Sequence, residues 1–472
     1  MAINILIEDI YSPVSYEGFE NAIVIIGVAS IGPAMIPVYL TPANDVVRIF
    51  GENSEITNTC IEAFEAGASN VIAIRMNGVS STLTFLDNQG EKAIIFKSIS
   101  AEGNSDNCRI AVMETEDGLV VVGVYGKDSN LEREYTLPRT TPISTLCSRI
   151  NRDALYGYVS ILATPIKNIT VSDLDKTNEF GLFMDGGSDE SSLFQLEILN
   201  KLEIVYGMIE SLAFDILIPL PVRYLEFEMI WIGEKIERIN LYNQLSDFCR
   251  LRAAAGMPII SLIQTFDEIS NNTDSILNKY EELLDSMDFS QYIIPISGGL
   301  RSPVSYISSG IGVVSGFLNA LPVESSPINK TIHRGLGLKY HLTSSELATM
   351  KALKVSCFTS SIRRGVVLFN ENTSAYNQES PFASIRNIRL VNFITRKCTA
   401  LFDSHIGDTT PTPFNVITSK IESLFDGFRS DNIISDYQYT VRVDESTKVT
   451  IEIEVVPYGQ IESVTTSVRV YG

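Results

Sequence analysis

The chain has 472 residues, 45% of them hydrophobic and 20% charged. That is enough for roughly two to four domains with buried cores and no need of disulfide staples. A net charge of −21 and a pI of about 4.6 exclude a nucleic-acid coat, which needs clustered Lys and Arg against phosphate. Cys60, Cys108, Cys147, Cys249, Cys357 and Cys398 form neither a CxxC pair nor a zinc-spaced cluster with His. They are expected as reduced thiols, with inter-subunit disulfides as the alternative. The opening MAINILIEDIYSP has no basic n-region and no apolar h-region, and no apolar run reaches the ~20 residues of a membrane helix. A soluble protein made inside a cell is expected.

Ile3, Ile5 and Ile7 share one side of a strand-period segment that Ser12-Pro13 breaks. Such a strand either edges its own domain or pairs with another chain. Asn21–Val28 and Asn70–Arg75 are apolar throughout their centres, as strands covered on both faces are, and Pro42–Phe50 and Glu55–Ala66 between them are helical. Residues 81–172 change texture. Short strands at Leu83–Leu86, Ala93–Ser98, Arg109–Glu114 and Leu119–Tyr125 alternate with turn residues, which predicts an inserted β-sandwich or barrel.

Residues 173–345 return to α/β. Leu196, Leu199, Leu202, Val205, Ile209 and Leu212 recur at helical spacing before a buried strand at Asp215–Leu220. A helix over Trp231–Ala255 precedes Pro258–Ile263, and a helix carrying Ile276, Tyr280, Leu283, Leu284 and Met287 precedes Tyr292–Ile296. This alternation predicts a parallel sheet with helices on its faces. Residues 346–430 hold further helices, with Ile417, Ile421, Leu424, Phe425 and Phe428 as an apolar stripe. Tyr439, Val441 and Val443 alternate, as do Val449, Ile451, Ile453 and Val455; after Pro457-Tyr458-Gly459 comes a strand with Val464, Val468 and Val470.

Catalytic signatures are missing. His333, His341 and His405 are the only imidazoles, and no G-x-S-x-G elbow accompanies them. Gly310, Gly312 and Gly316 are spaced G-x-G-x-x-x-G, one residue too long for a dinucleotide loop, and chain flexibility or close packing is the better reason for them. There is no P-loop, and Asp185–Asp189 lacks EF-hand spacing, so a tight turn is expected there. No cofactor and no metal are expected. An α/β hydrolase using His333, or a non-contractile virion protein or adhesin, stand as alternatives.

Several segments, in order, resemble the contractile phage tail sheath family. Asn21–Phe50 is similar to its opening, an apolar strand and Gly-Pro turn leading to a helix that ends at Phe50-Gly51. Asn70–Arg75 resembles its second strand, Ala101–Val112 its Gly-Asn turn and β-domain strand, and Met184–Asp189 its Gly-Gly turn. The C-terminal half adds Ser308–Lys330, Leu342–Glu346, Val355–Thr359, Arg364–Val367, Thr373 and Ile385–Asn392. Where the family often has Trp, this chain has Leu368 and Phe369; its sole Trp is Trp231.

The resemblance implies an α/β multidomain subunit with an N-terminal arm (1–20), a tube-proximal α/β domain in two parts (21–80 and 346–447), an inserted β-sandwich (81–172), a middle domain of subtilisin-like fold (173–345) and a C-terminal arm (448–472). It implies inter-subunit strands at Ile3, Ile5, Ile7, Val449, Ile451, Ile453, Val455, Val464, Val468 and Val470. Candidate contacts to an inner tube are Arg386, Arg389, Arg396, Lys397 and Lys420, on helices over Ile385–Asp403 and Asn415–Phe428. The implied function is non-enzymatic: a helical homopolymer of stacked, hexameric rings around a tail tube protein. Baseplate and tail terminator proteins are the further partners. Neither nucleic acid nor membrane insertion is implied, and the place is a virion tail assembled in the host cytoplasm.

Overall fold

The computed structural model describes residues 21–42, 44, 46–52, 54–99, 106–155, 158–178, 180–185, 187, 195–219, 235–263, 277–278, 281, 290–297, 299–301, 310–332, 337–338, 341–377, 379–403, 414–444 and 448–458. The expected arm at 1–20, Trp231, His333, His405 and the strand of Val464, Val468 and Val470 lie outside them.

A six-stranded sheet organises the body, in the spatial order Ile293–Pro295, Ile260–Ile263, Ile216–Pro219, Ile23–Gly27, Val71–Arg75, Pro37–Leu40. The first five strands run parallel and the Pro37–Leu40 edge antiparallel. Period-2 alternation sends the two halves of each strand to opposite faces. Val24, Ile26, Ile72 and Ile74 pack with Leu202, Val205 and Ile209 of the Gln195–Ile209 helix and Leu245 and Phe248 of the Lys235–Ala254 helix. On the other face, Ile23, Ile25, Val71 and Ala73 meet Ile56 and Cys60 of the Glu55–Glu65 helix and Val314 and Leu318 of the Ile311–Ala320 helix. The result is a three-layer α/β/α body.

Ile23–Gly27 pairs directly with Ile216–Pro219. Residues 21–80 and 173–345, which the sequence reading allots to two α/β domains, therefore build one sheet. Local periodicity marks each strand as buried and parallel but carries no information on which strand lies beside which. Residues after 346 join the same body: Leu347, Met350, Val355 and Cys357 enter one core layer, and Phe358, Val366, Leu368, Ile385 and Ile388 the other. The Thr343 and Glu346 side chains form the capping box that starts the Ser344–Ala352 helix.

The inserted β unit leaves and re-enters the body through a neck in which Thr82 and Asp185 exchange backbone hydrogen bonds of 2.8 and 3.0 Å. It thus closes at Asp185 instead of 172, because Leu182–Phe183 adds a strand to Arg109–Glu114. Its two antiparallel sheets of four and three strands enclose Phe85, Phe96, Val112, Val122 and Ile161. A helix over Ile143–Leu155, absent from the sequence reading, packs Ile143, Leu146, Cys147, Ile150 and Ala154 into the same core. Those residues repeat at helical spacing, a signal masked by the strands on either side.

The Gly312/Gly316 pair is a packing device. A Cβ on Gly316 would sit 2.0 Å from the Ala63 carbonyl oxygen, and one on Gly312 2.7 Å from that of Thr59. The Ile311–Ala320 and Glu55–Glu65 helices therefore touch backbone to backbone. Gly316→Ala is expected to cost about 1–3 kcal/mol in denaturant unfolding, although Ala is the better helix former. Gly207→Ala, at an exposed helix position with nothing within 4 Å, should instead gain about 0.4–1 kcal/mol. A stabilised Gly316→Ala would contradict the close crossing.

Candidate functional site

The C-terminal part of the chain forms a platform on the side of the body. Asp436–Asp444 and Lys448–Val456 pair antiparallel from Asp436↔Val456 to Asp444↔Lys448, a two-stranded sheet to which no other described strand adds. One face presents Tyr437, Tyr439, Val441, Ile451, Ile453 and Val455 to the helices Ile385–Asp403 and Phe414–Ser430. The opposite face carries Gln438, Thr440, Arg442, Glu452 and Glu454 in solvent, with an Arg442–Glu452 ion pair of 3.3 Å. A long two-stranded ribbon is marginal by itself, so the helices must hold it.

They do so through a small separate core. Leu390, Ile394, Ile421, Phe425, Phe428 and Ile434 are buried together. The Phe425 ring lies 5.1 Å from that of Tyr437 and 5.4 Å from that of Phe428. At the rim, the Tyr437 hydroxyl donates to Asp426 Oδ1 (3.1 Å) and the Tyr439 hydroxyl to Glu422 Oε1 (2.7 Å). Burial, then the bond to Asp426, pushes the Tyr437 phenol up; the bond to Glu422 leads for Tyr439. Both shifts favour the neutral form in the folded chain.

The platform is bolted to the body by arginines of the Ile385–Asp403 helix. Arg386 is buried and donates to the carbonyls of Glu324 (2.7 Å) and Tyr458 (2.5 Å). Arg389 donates to the carbonyls of Leu318 (2.6 Å), which also accepts the Leu321 N–H that caps the Ile311–Ala320 helix, and of Leu321 (2.7 Å). Its burial lowers the guanidinium to about 10, against the pull of Asp215, Glu324 and Glu371. Arg396 reaches Asp215 at 2.6 Å and the Pro258 carbonyl at 3.1 Å, at the base of the central sheet.

Three of the five basic residues expected to face a partner are thus occupied inside the chain. Lys397 is exposed, 5.8 Å from the centre of the Phe393 ring, and Lys420 lines an open groove with Leu401, Val416, Leu424 and Phe428. Ile451, Ile453 and Val455, expected in a donated arm, lie in the intramolecular hairpin, and Val449 belongs to the same strand. Among the described residues no group of three His, Cys, Asp or Glu side chains is placed to hold a metal, and no helix is long and apolar enough to cross a membrane.

The arrangement has counterparts among solved structures. The sheath tail protein of Listeria innocua matches with a TM-score of 0.60 at 15% identity, over 93% of this chain and 92% of that one. The sheath tail protein of Desulfitobacterium hafniense matches with a TM-score of 0.56 at 14% identity, over 94% and 95%. The chain has the tail sheath fold. A sheath of an extracellular contractile injection system in its contracted state is also similar, with a TM-score of 0.53 at 7% identity over 95% of this chain and 92% of that one. No protein-family model and no curated protein matches the sequence.

In this sheath fold, Phe425→Ala is expected to cost about 3–5 kcal/mol, read from denaturant unfolding. A cost under about 1 kcal/mol would show that the ring does not hold the hairpin. The tyrosine pair gives a pH test. Because both values are raised, the stability they add is present below the ordinary 10.0 and lost as pH rises through the folded values. Replacing Tyr437 and Tyr439 by Phe should flatten the loss of melting temperature between about pH 9 and pH 11; an unchanged slope would remove these phenols from the docking energy.

Proposed function

We propose that this chain is the structural subunit of a contractile tail sheath, polymerising helically around an inner tube by exchanging strands with its neighbours. The observation that carries the reading is the hairpin: nine residues long on each side, held from behind, and open at both outer edges among the described residues. Open edges offer unpaired backbone donors and acceptors, the template for strand addition. The segments with Ile3, Ile5 and Ile7 and with Val464, Val468 and Val470 have the apolar alternation that such an edge accepts. The hairpin is then the acceptor, and the strand of Ile451, Ile453 and Val455 is its inner part. A contact between different surfaces of identical chains that does not close on itself gives a helical polymer.

The energies suit a regulated assembly. An arm of about ten residues that buries about 500 Å² of apolar surface gains on the order of 12 kcal/mol, and ordering it costs about 10–20 kcal/mol. Each arm is near balance alone, so assembly waits for backbone pairing and lattice contacts to add. Contraction is a rearrangement of rigid bodies between two lattices, with the arms as tethers. The similarity to a contracted injection-system sheath supports this.

The α/β/α layering of the body supports the subtilisin-like description of the family's middle domain; its role here is structural and not enzymatic. Exposed Lys397 and groove-lining Lys420 are candidates to meet an acidic tube protein. Baseplate and tail terminator proteins cap a polymer of stacked hexameric rings in a virion tail.

Deleting residues 1–10 is expected to leave a folded monomer and abolish tubes in negative-stain micrographs; sheaths of normal appearance from that variant would sink the strand-exchange reading. Purified particles should contract at the same rate with and without ATP, because the extended lattice itself stores the energy. A requirement for ATP would contradict it.

A further inference from the structure

The C-terminal strand has a marked exit. The Val456 carbonyl accepts from both the backbone N–H (2.8 Å) and the hydroxyl (2.9 Å) of Ser435. Pro457 follows and has no N–H with which to continue a ladder. One residue later, the Tyr458 carbonyl is taken by Arg386 Nη2 at 2.5 Å, while Nε of the same guanidinium donates to the Glu324 carbonyl at 2.7 Å. Arg386 is 6% exposed and is the second residue of the Ile385–Asp403 helix. The Tyr458 hydroxyl lies 3.5 Å from Asn432 Oδ1, at the residue that turns the chain into the hairpin with φ +59°.

A planar guanidinium with two occupied nitrogens fixes direction as well as position, which an ammonium on a flexible stem does not. Arg386 therefore joins three separate parts of the chain at the point where the sequence continues toward Val464, Val468 and Val470. The same helix is tied to the body by Arg389 and Arg396.

We propose that Arg386 is the anchor that fixes where and in which direction the C-terminal segment leaves the body, so that load on that segment enters the Ile385–Asp403 helix and not the hairpin edge. This rests on the reading above, in which the segment pairs with a second copy. Arg386 is a positioning residue: it acts through the Tyr458 carbonyl. Fixing the root of a tether raises the effective concentration of its far end at a site of matching geometry.

Chymotrypsin cleaves after tyrosine, so the bond that follows Tyr458 reports on its own carbonyl. The test uses the full chain unmodified, Arg386→Gln, Arg386→Lys, and Gly316→Ala as a destabilised control at the helix crossing in the body. Cleavage after Tyr458 in the unpolymerised protein is followed by mass spectrometry, with melting temperature and tube yield by negative stain. Arg386→Gln is expected to be cut at least about tenfold faster and to form at least about fivefold fewer tubes, as a loosened tether root implies. Gly316→Ala should match the unmodified chain in both, although its melting temperature falls. Arg386→Lys should fall between, and it carries the test if Arg386→Gln does not fold.

Unchanged cleavage in the Arg386 variants overturns the anchor. Faster cleavage with normal tube yield overturns its role in assembly. Loss of tubes in both the Arg386 variants and Gly316→Ala in proportion to their melting temperatures reduces it to general stability and overturns it too. If the unmodified chain forms no tubes under conditions that assemble sheaths, the underlying reading fails, and the cleavage comparison still decides whether Arg386 holds the segment.

Discussion

One helix, Ile385–Asp403, is committed on two sides at once, and the C-terminal platform depends on it. Its arginines satisfy backbone carbonyls of the body, at Leu318, Leu321 and Glu324, and pair with Asp215. Its apolar residues Leu390 and Ile394 close the small core under the hairpin. Removing the Arg386 or Arg389 guanidinium would take a charge-assisted donor from each of those carbonyls, and such bonds are stronger than neutral ones. The helix thus couples a large α/β/α core, which holds itself together, to a ribbon that could not stand alone.

This division explains what the sequence could and could not reveal. Buried strands such as Asn21–Val28 and Asp215–Leu220 are legible because both faces are covered, and the Glu55–Glu65 and Gln195–Ile209 helices that precede strands of the sheet are legible too. Their neighbour relations are not legible, since Ile23 meets Ile216 across the whole inserted unit. The basic residues mislead for a related reason. Arg386, Arg389 and Arg396 read as a charged outer face, yet their partners are mostly carbonyl oxygens, which every residue has and which leave no trace in side-chain pattern. The hairpin was half legible. Alternation at Tyr439–Val443 and Val449–Val455 marks two strands, and the short polar stretch between them is a hairpin signal that outweighs donation to another chain.

The chemistry of the site is that of backbone edges, which agrees with a chain whose three histidines have no nucleophile motif around them. A charge of −21 opposes the close approach of identical chains. The Gly316–Ala63 crossing brings two helices of the body backbone to backbone, and the Thr82–Asp185 neck closes the insert at its root.

The most direct measurement is a cryo-EM reconstruction of the assembled polymer at a resolution that traces strands. The account predicts the Asp436–Val456 hairpin flanked on its outer edges by strands from other copies, one of them carrying Ile3, Ile5 and Ile7. A polymer in which both hairpin edges stay bare, with copies joined through other surfaces, would contradict it.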